Sequence, residues 1–192
     1  TCLIICIIRA ELLINKKIMQ KKAIFLDRDG VINKEKNYLY KKEDFEFIDG
    51  VFEACKYFQE VGYQLIVVTN QSGISRGYYQ EEDFHKITEW MLEQFESQSI
   101  KILDVFFCPH GPESTCNCRK PKPGMLLEAK EKYNIDMQYS WMIGDKEADI
   151  GAANAAEVKN TILVKTGHEI DEVNSNAKFI LKSMQDTIEI IK

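Results

Sequence analysis

Short apolar runs alternating with amphipathic stretches predict a doubly wound α/β fold, a parallel sheet covered by helices on both faces. Three observations carry this. The runs Ala23-Ile24-Phe25-Leu26, Leu65-Ile66-Val67-Val68, Val105-Phe106-Phe107, Trp141-Met142-Ile143 and Thr161-Ile162-Leu163-Val164 have the length and continuity of buried strands. Between them lie segments with apolar residues at helical spacing. Four of the runs also end in reactive polar residues, where parallel α/β sheets carry their ligands.

The elements follow in order. The first strand ends in Asp27-Arg28-Asp29-Gly30 and runs into a polar loop, Asn33 to Tyr38. A helix follows Gly50, with Val51, Ala54, Cys55 and Phe58 on one face. The second strand, near 64–69, ends in Thr69-Asn70-Gln71-Ser72-Gly73. A longer helix is expected over 80–96, from Phe84, Ile87, Met91, Leu92 and Phe95. The third strand, about 104–108, leads into Cys108-Pro109-His110 and the longest insertion expected. Pro123 suits the first position of the next helix, where Met125, Leu126, Ala129 and Tyr133 share a face. A fourth strand, about 140–144, ends in Gly144-Asp145-Lys146 and meets an alanine-rich helix, about 146–156. A fifth strand at 161–164, a sixth near 178–181 and a terminal helix close the chain. No separate cap domain has room to form.

Asp27 and Asp29 stand two residues apart at a strand end. An aspartate is ionised at neutral pH and attacks phosphorus without a general base. A second carboxyl beside it is placed to protonate a leaving oxygen. Alone, the pair also fits two solvated acids at a strand end.

At 192 residues the chain is most simply one domain. Its net charge of −5 argues against a nucleic-acid surface, which is usually basic. Residues 1–18 are expected to be an extension outside a catalytic domain spanning 19–192. Their apolar run, Leu3 to Ile8, is too short to cross a bilayer and lacks the flanks of a signal peptide. The expectation is a cytoplasmic monomer with no membrane partner.

Cys108, His110, Cys116 and Cys118 have metal spacing and not that of a disulfide framework. Four soft or borderline ligands suit a closed, structural, tetrahedral Zn²⁺ site. Such a site would pin an irregular loop and, through it, Arg119 and Lys120. Reduced thiols without metal are the plainer alternative.

Taken together, these segments resemble the haloacid dehalogenase superfamily of phosphotransferases. Its four motifs occur in order as Asp27-Arg28-Asp29-Gly30, Thr69, Lys120 and Gly144-Asp145-Lys146-Glu147-Ala148-Asp149. The resemblance covers residue 21 to the end and implies the Rossmann-like fold of that superfamily. It implies that Asp27 is the nucleophile and Asp29 the general acid and base, with Thr69 and Lys120 holding the phosphoryl oxygens. The pKa of Asp29 would then have to be raised by neighbouring anions. It implies Mg²⁺ on the carboxylates of Asp27 and Asp145 and the backbone carbonyl of Asp29. Asp149 is either a helper that orients Lys146 or metal-bound water, or a solvated helix acid. Val31, where many members have threonine, is a small departure.

The block from Cys108 to Pro121 and the loop Gln71-Ser72-Gly73-Ile74-Ser75-Arg76-Gly77 resemble the branch acting on heptose bisphosphates. A phosphomonoester hydrolase of a sugar bisphosphate is implied, serving nucleotide-heptose synthesis for cell-surface glycans. Expected substrate contacts are Glu35, Lys36, Asn37, Tyr38, Asn70, Gln71, Ser72, Arg119 and Lys146. Histidinol phosphate is the alternative substrate. A catalytically silent, zinc-stabilised binding module is the alternative from another class. Arg76, His85 and His168 are assigned no chemistry.

Overall fold

The computed structural model describes residues 20–192. The expected 1–18 extension, and Met19, lie outside the described residues.

Six parallel strands form one sheet in the order β3-β2-β1-β4-β5-β6. They are β1 (Ala23–Leu26), β2 (Gln64–Asn70), β3 (Ile102–Cys108), β4 (Trp141–Gly144), β5 (Asn160–Val164) and β6 (Phe179–Leu181). Helices α1 (Val51–Glu60), α2 (Glu81–Ser97), α3 (Gly124–Tyr133), α4 (Glu147–Ala155) and α5 (Thr187–Ile190) connect and close them. Two short 3₁₀ turns, Lys42–Asp44 and Met137–Tyr139, complete the elements among the described residues.

The strand pattern explains the layers. Every residue of β1 is fully buried, because the strand lies in mid-sheet with helices on both sides. Alternate side chains point to opposite faces. Ile24 and Leu26 join Leu65, Val67, Ile143 and the apolar face of α1. Ala23 and Phe25 join Ile66, Val68, Met142, α3 and α4. The expected face of α1 (Val51, Ala54, Cys55, Phe58) is buried as read. In α2, Phe84, Ile87, Met91 and Phe95 are buried, while Leu92 is only partly so.

Two expectations change. The 3₁₀ turn aside, the longest irregular connection is 27–50, between β1 and α1, and not the loop after Cys108. Glu35, Asn37 and Tyr38 contribute to the cavity wall from this segment. Pro123 caps α3 from just outside, with Gly124 as its first residue; a shift of one residue lies within the ordinary scatter of helix ends.

Chain order reverses between β1 and β4, since β2 and β3 follow on one side of β1 and β5 and β6 on the other side of β4. A crevice opens beyond the strand ends at such a point. The Asp27 amide donates to the Ile143 carbonyl at 3.0 Å, carrying the β1–β4 pairing one residue past the strand. That bond sets Asp27 beside the end of β4, where Asp145 emerges.

Candidate active site

A cavity of about 250 Å³ opens at this crevice, walled by Asp27, Asp29, Gln71, Lys120, Lys146 and His168 among others. At its floor Lys120 is 3 % exposed, yet its ammonium is fully partnered. Nζ lies 2.9 Å from Asp27 Oδ1 and 2.6 Å from Asp149 Oδ1, and donates to the Val68 carbonyl at 2.7 Å. Burial lowers a lysine pKa, but the two carboxylates outweigh it and hold the ammonium charged. For Asp27, burial dominates and lifts the pKa to about 6, while Lys120 pulls it down.

Asp149 Oδ2 accepts from the backbone amides of Asp145 and Lys146 at 3.2 and 3.0 Å. Both of its oxygens are thus engaged at the first turn of α4, where a carboxylate also meets the positive end of the helix dipole. Close approach requires Gly144: a Cβ there would lie 2.3 Å from Asp149 Cβ. The lysine side chain that Asp149 holds is Lys120. The expected partner, Lys146, offers only its amide; its ammonium faces Glu35 at 3.7 Å across the cavity.

Asp145 is fully buried, with its pKa raised by burial and by the charge of Asp27. Oδ2 accepts from the backbone and ring nitrogens of His168 at 3.0 and 2.6 Å. Oδ1 is buried without a hydrogen-bond partner. An unpartnered buried carboxylate oxygen is costly unless a cation completes it. Ligand atoms of Asp27, Asp145 and Asp149 lie within 4.8 Å of one another. With Asp149 engaged by Lys120, Asp27 and Asp145 are the pair that fits a hard divalent cation.

Asp29 departs from expectation. Burial pushes its pKa up, but Arg28 outweighs this with charge and hydrogen bonds, helped by Asn33 and Gln71, and the net shift is down. Arg28 Nη2 reaches both carboxylate oxygens at 2.9 Å, Asn33 Nδ2 donates at 3.0 Å and Gln71 Nε2 at 3.0 Å. Neighbouring cationic and amide donors, and not anions, decide the sign. Arg28, only 1 % exposed, was legible as part of the motif but carried no assigned role.

Thr69 is buried behind the cavity wall, and its Oγ1 accepts from Gln71 Nε2 at 2.9 Å. Its own hydroxyl hydrogen is left free to donate. Asn70 faces the Lys120 backbone: Oδ1 accepts from the Lys120 amide at 3.0 Å and Nδ2 donates to the Lys120 carbonyl at 3.1 Å. Of the expected substrate contacts, Glu35, Asn37, Tyr38, Asn70, Gln71, Ser72, Arg119 and Lys146 line the cavity. Lys36 does not: its ammonium pairs with Glu46 on the outer side of the loop. Lys34 and Lys36 both pair with Glu46, which holds Lys36 away from the face that Glu35 presents. Tyr79 and His168 also line the cavity, which no motif or spacing in the sequence signals.

Beside the cavity, Cys108, His110, Cys116 and Cys118 converge. Cys118 Sγ is 3.0 Å from Cys108 Sγ and 3.4 Å from His110 Nδ1, and all four ligand atoms lie within 4.8 Å of one another. This donor set and spacing fit one tetrahedral metal ion. The loop returns tightly to α3, since a Cβ on Gly124 would lie 2.4 Å from the Asn117 carbonyl oxygen. Arg119 donates to the His110 carbonyl at 3.0 Å, linking the cluster to the cavity wall.

Strand order and strand-end acids together define a haloacid dehalogenase-like hydrolase fold. A HAD-hydrolase-like family model matches residues 117–187. The chain is 45% identical over 179 residues to D-glycero-beta-D-manno-heptose-1,7-bisphosphate 7-phosphatase of Pasteurella multocida, covering 90% of this chain and 97% of that one. It is 53% identical over 146 residues to D-glycero-alpha-D-manno-heptose-1,7-bisphosphate 7-phosphatase of Campylobacter jejuni, covering 76% and 84%. The crystal structure of D,D-heptose 1,7-bisphosphate phosphatase from B. bronchiseptica, complexed with magnesium and phosphate, superposes with a TM-score of 0.76 at 27% identity, covering 88% and 97%. The chain belongs to the D-glycero-D-manno-heptose 1,7-bisphosphate 7-phosphatase family of the haloacid dehalogenase superfamily.

Proposed function

We propose that the protein hydrolyses the 7-phosphate of D-glycero-D-manno-heptose 1,7-bisphosphate through an aspartyl phosphate on Asp27. The observation that carries the reading is the Asp27–Lys120–Asp149 chain beside the unpartnered Asp145 oxygen, in a chain with full-length relatives of that activity.

In this reading the Asp27 carboxylate attacks phosphorus and the P–O bond to the sugar breaks. Asp29 gives a proton to the departing oxygen, then takes one from the water that hydrolyses the aspartyl phosphate. Arg28 holds Asp29 in place, so the proton has to be acquired against its charge as substrate anions enter. Thr69, through its free hydroxyl hydrogen, and Lys120, which exchanges its contact with Asp27 for one with the phosphoryl group, hold the phosphoryl oxygens. Asp27, Asp145 and the Asp29 carbonyl would hold Mg²⁺, which supplies charge compensation for a phosphate entering among carboxylates. Arg119 and Lys146 offer cationic groups to the second phosphate, with Glu35, Asn37 and Tyr38 against the sugar. Cys108, His110, Cys116 and Cys118 would hold Zn²⁺ as a structural ion that fixes Arg119 and Lys120.

The test is phosphate release with Mg²⁺ from both anomers of heptose 1,7-bisphosphate, beside histidinol phosphate at equal concentration. A large preference for either heptose anomer is expected. Preference for histidinol phosphate overturns the substrate and retains the chemistry.

A further inference from the structure

A tyrosine that belongs to none of the four motifs is joined to two of them. Tyr79 follows the turn 71–78 and precedes α2. It is 4 % exposed, lines the cavity, and stacks on Tyr40 with ring centroids 5.5 Å apart. Gly73 makes room for it: a Cβ at Gly73 would lie 2.2 Å from the Tyr79 ring. Its hydroxyl donates to Gln71 Oε1 at 2.5 Å. Gln71 Nε2 then donates to Thr69 Oγ1 at 2.9 Å and Asp29 Oδ2 at 3.0 Å.

We infer that Tyr79 is a positioning residue: by holding the Gln71 carbonyl oxygen, it fixes the amide face that orients Thr69 and Asp29 for phosphoryl transfer. The inference rests on the proposed function for its consequence, but its geometry is independent of substrate.

The accounting of donors and acceptors makes the case. A primary amide offers two hydrogens on one side and an acceptor on the other. Both Gln71 hydrogens are taken, one by each catalytic side chain, so this amide has no donor left for a sugar. The Thr69 hydroxyl accepts from Gln71 and therefore turns its own hydrogen elsewhere, which is what a phosphoryl oxygen requires. Turned the other way, the amide would set its oxygen against the Asp29 carboxylate and leave Thr69 without that donor. The Tyr79 hydroxyl opposes the turn. Burial raises its pKa to about 12, so it stays a donor across the working range.

Tyr79→Phe keeps the ring against Gly73 and Tyr40 and removes only the hydroxyl. With Mg²⁺ and heptose 1,7-bisphosphate, kcat should fall about tenfold, as for a hydrogen bond near the upper end of its usual worth, with KM changed less than about twofold. In a Gln71→Ala background the same change should cost nothing further, because it acts through Gln71. A wild-type kcat in Tyr79→Phe, or losses that multiply in the double variant, would overturn the inference. Should Tyr79→Phe fail to fold, Gln71→Glu keeps the Tyr79 contact and removes both amide hydrogens; a wild-type kcat there also overturns it. The Gln71 side-chain amide protons, followed by NMR without substrate, should exchange faster in Tyr79→Phe than in wild type, and equal rates count against the inference. That readout survives even if the wild-type protein leaves heptose bisphosphate untouched, an outcome that sinks the proposed function alone.

Discussion

Lys120 and Asp149 form a 2.6 Å ion pair in which neither side chain is more than 2 % exposed. The pair spans the sheet switch point, joining the loop after β3 to the first turn of α4. It sets the ammonium against Asp27, so one buried contact couples three of the four motifs.

Breaking that pair leaves a buried lysine with a single carboxylate. Asp149→Asn should lower stability by about 3 kcal/mol, the usual scale for removing one partner of a buried pair. It should also reduce kcat strongly, since Lys120 loses its orientation. Urea denaturation with parallel phosphate-release assays would measure both.

Asp27→Asn should abolish turnover while the fold is retained, because an amide is no nucleophile toward phosphorus. Circular dichroism and a phosphate assay decide it. Wild-type turnover in this variant would sink the aspartyl-phosphate mechanism.

The pKa of Asp27, raised from 3.8 to about 6, predicts a pH dependence. The nucleophile has to be ionised, so activity should rise with pH through about 6. Added Mg²⁺ competes with the proton and should move that limb to lower pH. For stability the sign is opposite. The folded state binds the proton more tightly, so this contribution is lost as pH rises from about 4 to about 6 in metal-free protein. Rate profiles at several Mg²⁺ concentrations, and melts with chelator, would test the two effects.

The cysteine–histidine loop should matter more to Lys120 than to the Asp27–Asp145 pair, of which Lys120 touches only Asp27. A Cys116→Ser, Cys118→Ser protein should lack zinc, become open to proteolysis between 109 and 118, and lose activity. Its Mg²⁺ affinity should change far less than its kcat, since Asp27 and Asp145 are held by β1 and β4 and not by the loop. Elemental analysis, limited proteolysis and Mg²⁺ titration give the three readouts; full activity in zinc-free protein would refute the coupling.

Lys146 tests the second phosphate. Lys146→Ala should raise KM about tenfold for the bisphosphate, the scale of one charged hydrogen bond. A heptose 7-monophosphate should be little affected. Parallel kinetics on both compounds would show it, and equal effects would remove Lys146 from the distal contact.

The strands and their terminal acids were legible in the sequence, because a strand buried on both faces has to be continuously apolar. Asp27 at the cavity and Asp145 beside it are legible for the same reason, whereas Lys120, in the loop after β3, is placed there only by the family resemblance. The partner of Asp149 could not: helix spacing brings it near Lys146, whereas Lys120 reaches it only because β2 and β4 flank β1. Lys36 shares its loop with Glu35, yet its pairing with Glu46 closes a contact no local pattern encodes. The sign of the Asp29 shift is not legible in the sequence, because the influence of Arg28 depends on how its guanidinium folds back on the carboxylate.

Sequence by itself determined the fold class, the motif order and the grouping of Cys108, His110, Cys116 and Cys118, all of which follow from local periodicity, short spacing and side-chain chemistry. Tertiary structure alone decided which donor meets which acceptor. The bond from Gln71 to Asp29, the clamp of Asn70 on the Lys120 backbone and the surroundings of the unpartnered Asp145 oxygen all depend on distances between chain-distant groups. Hydrogen bonds and buried charges respond to tenths of an ångström, and only packing around the switch point sets distances that finely.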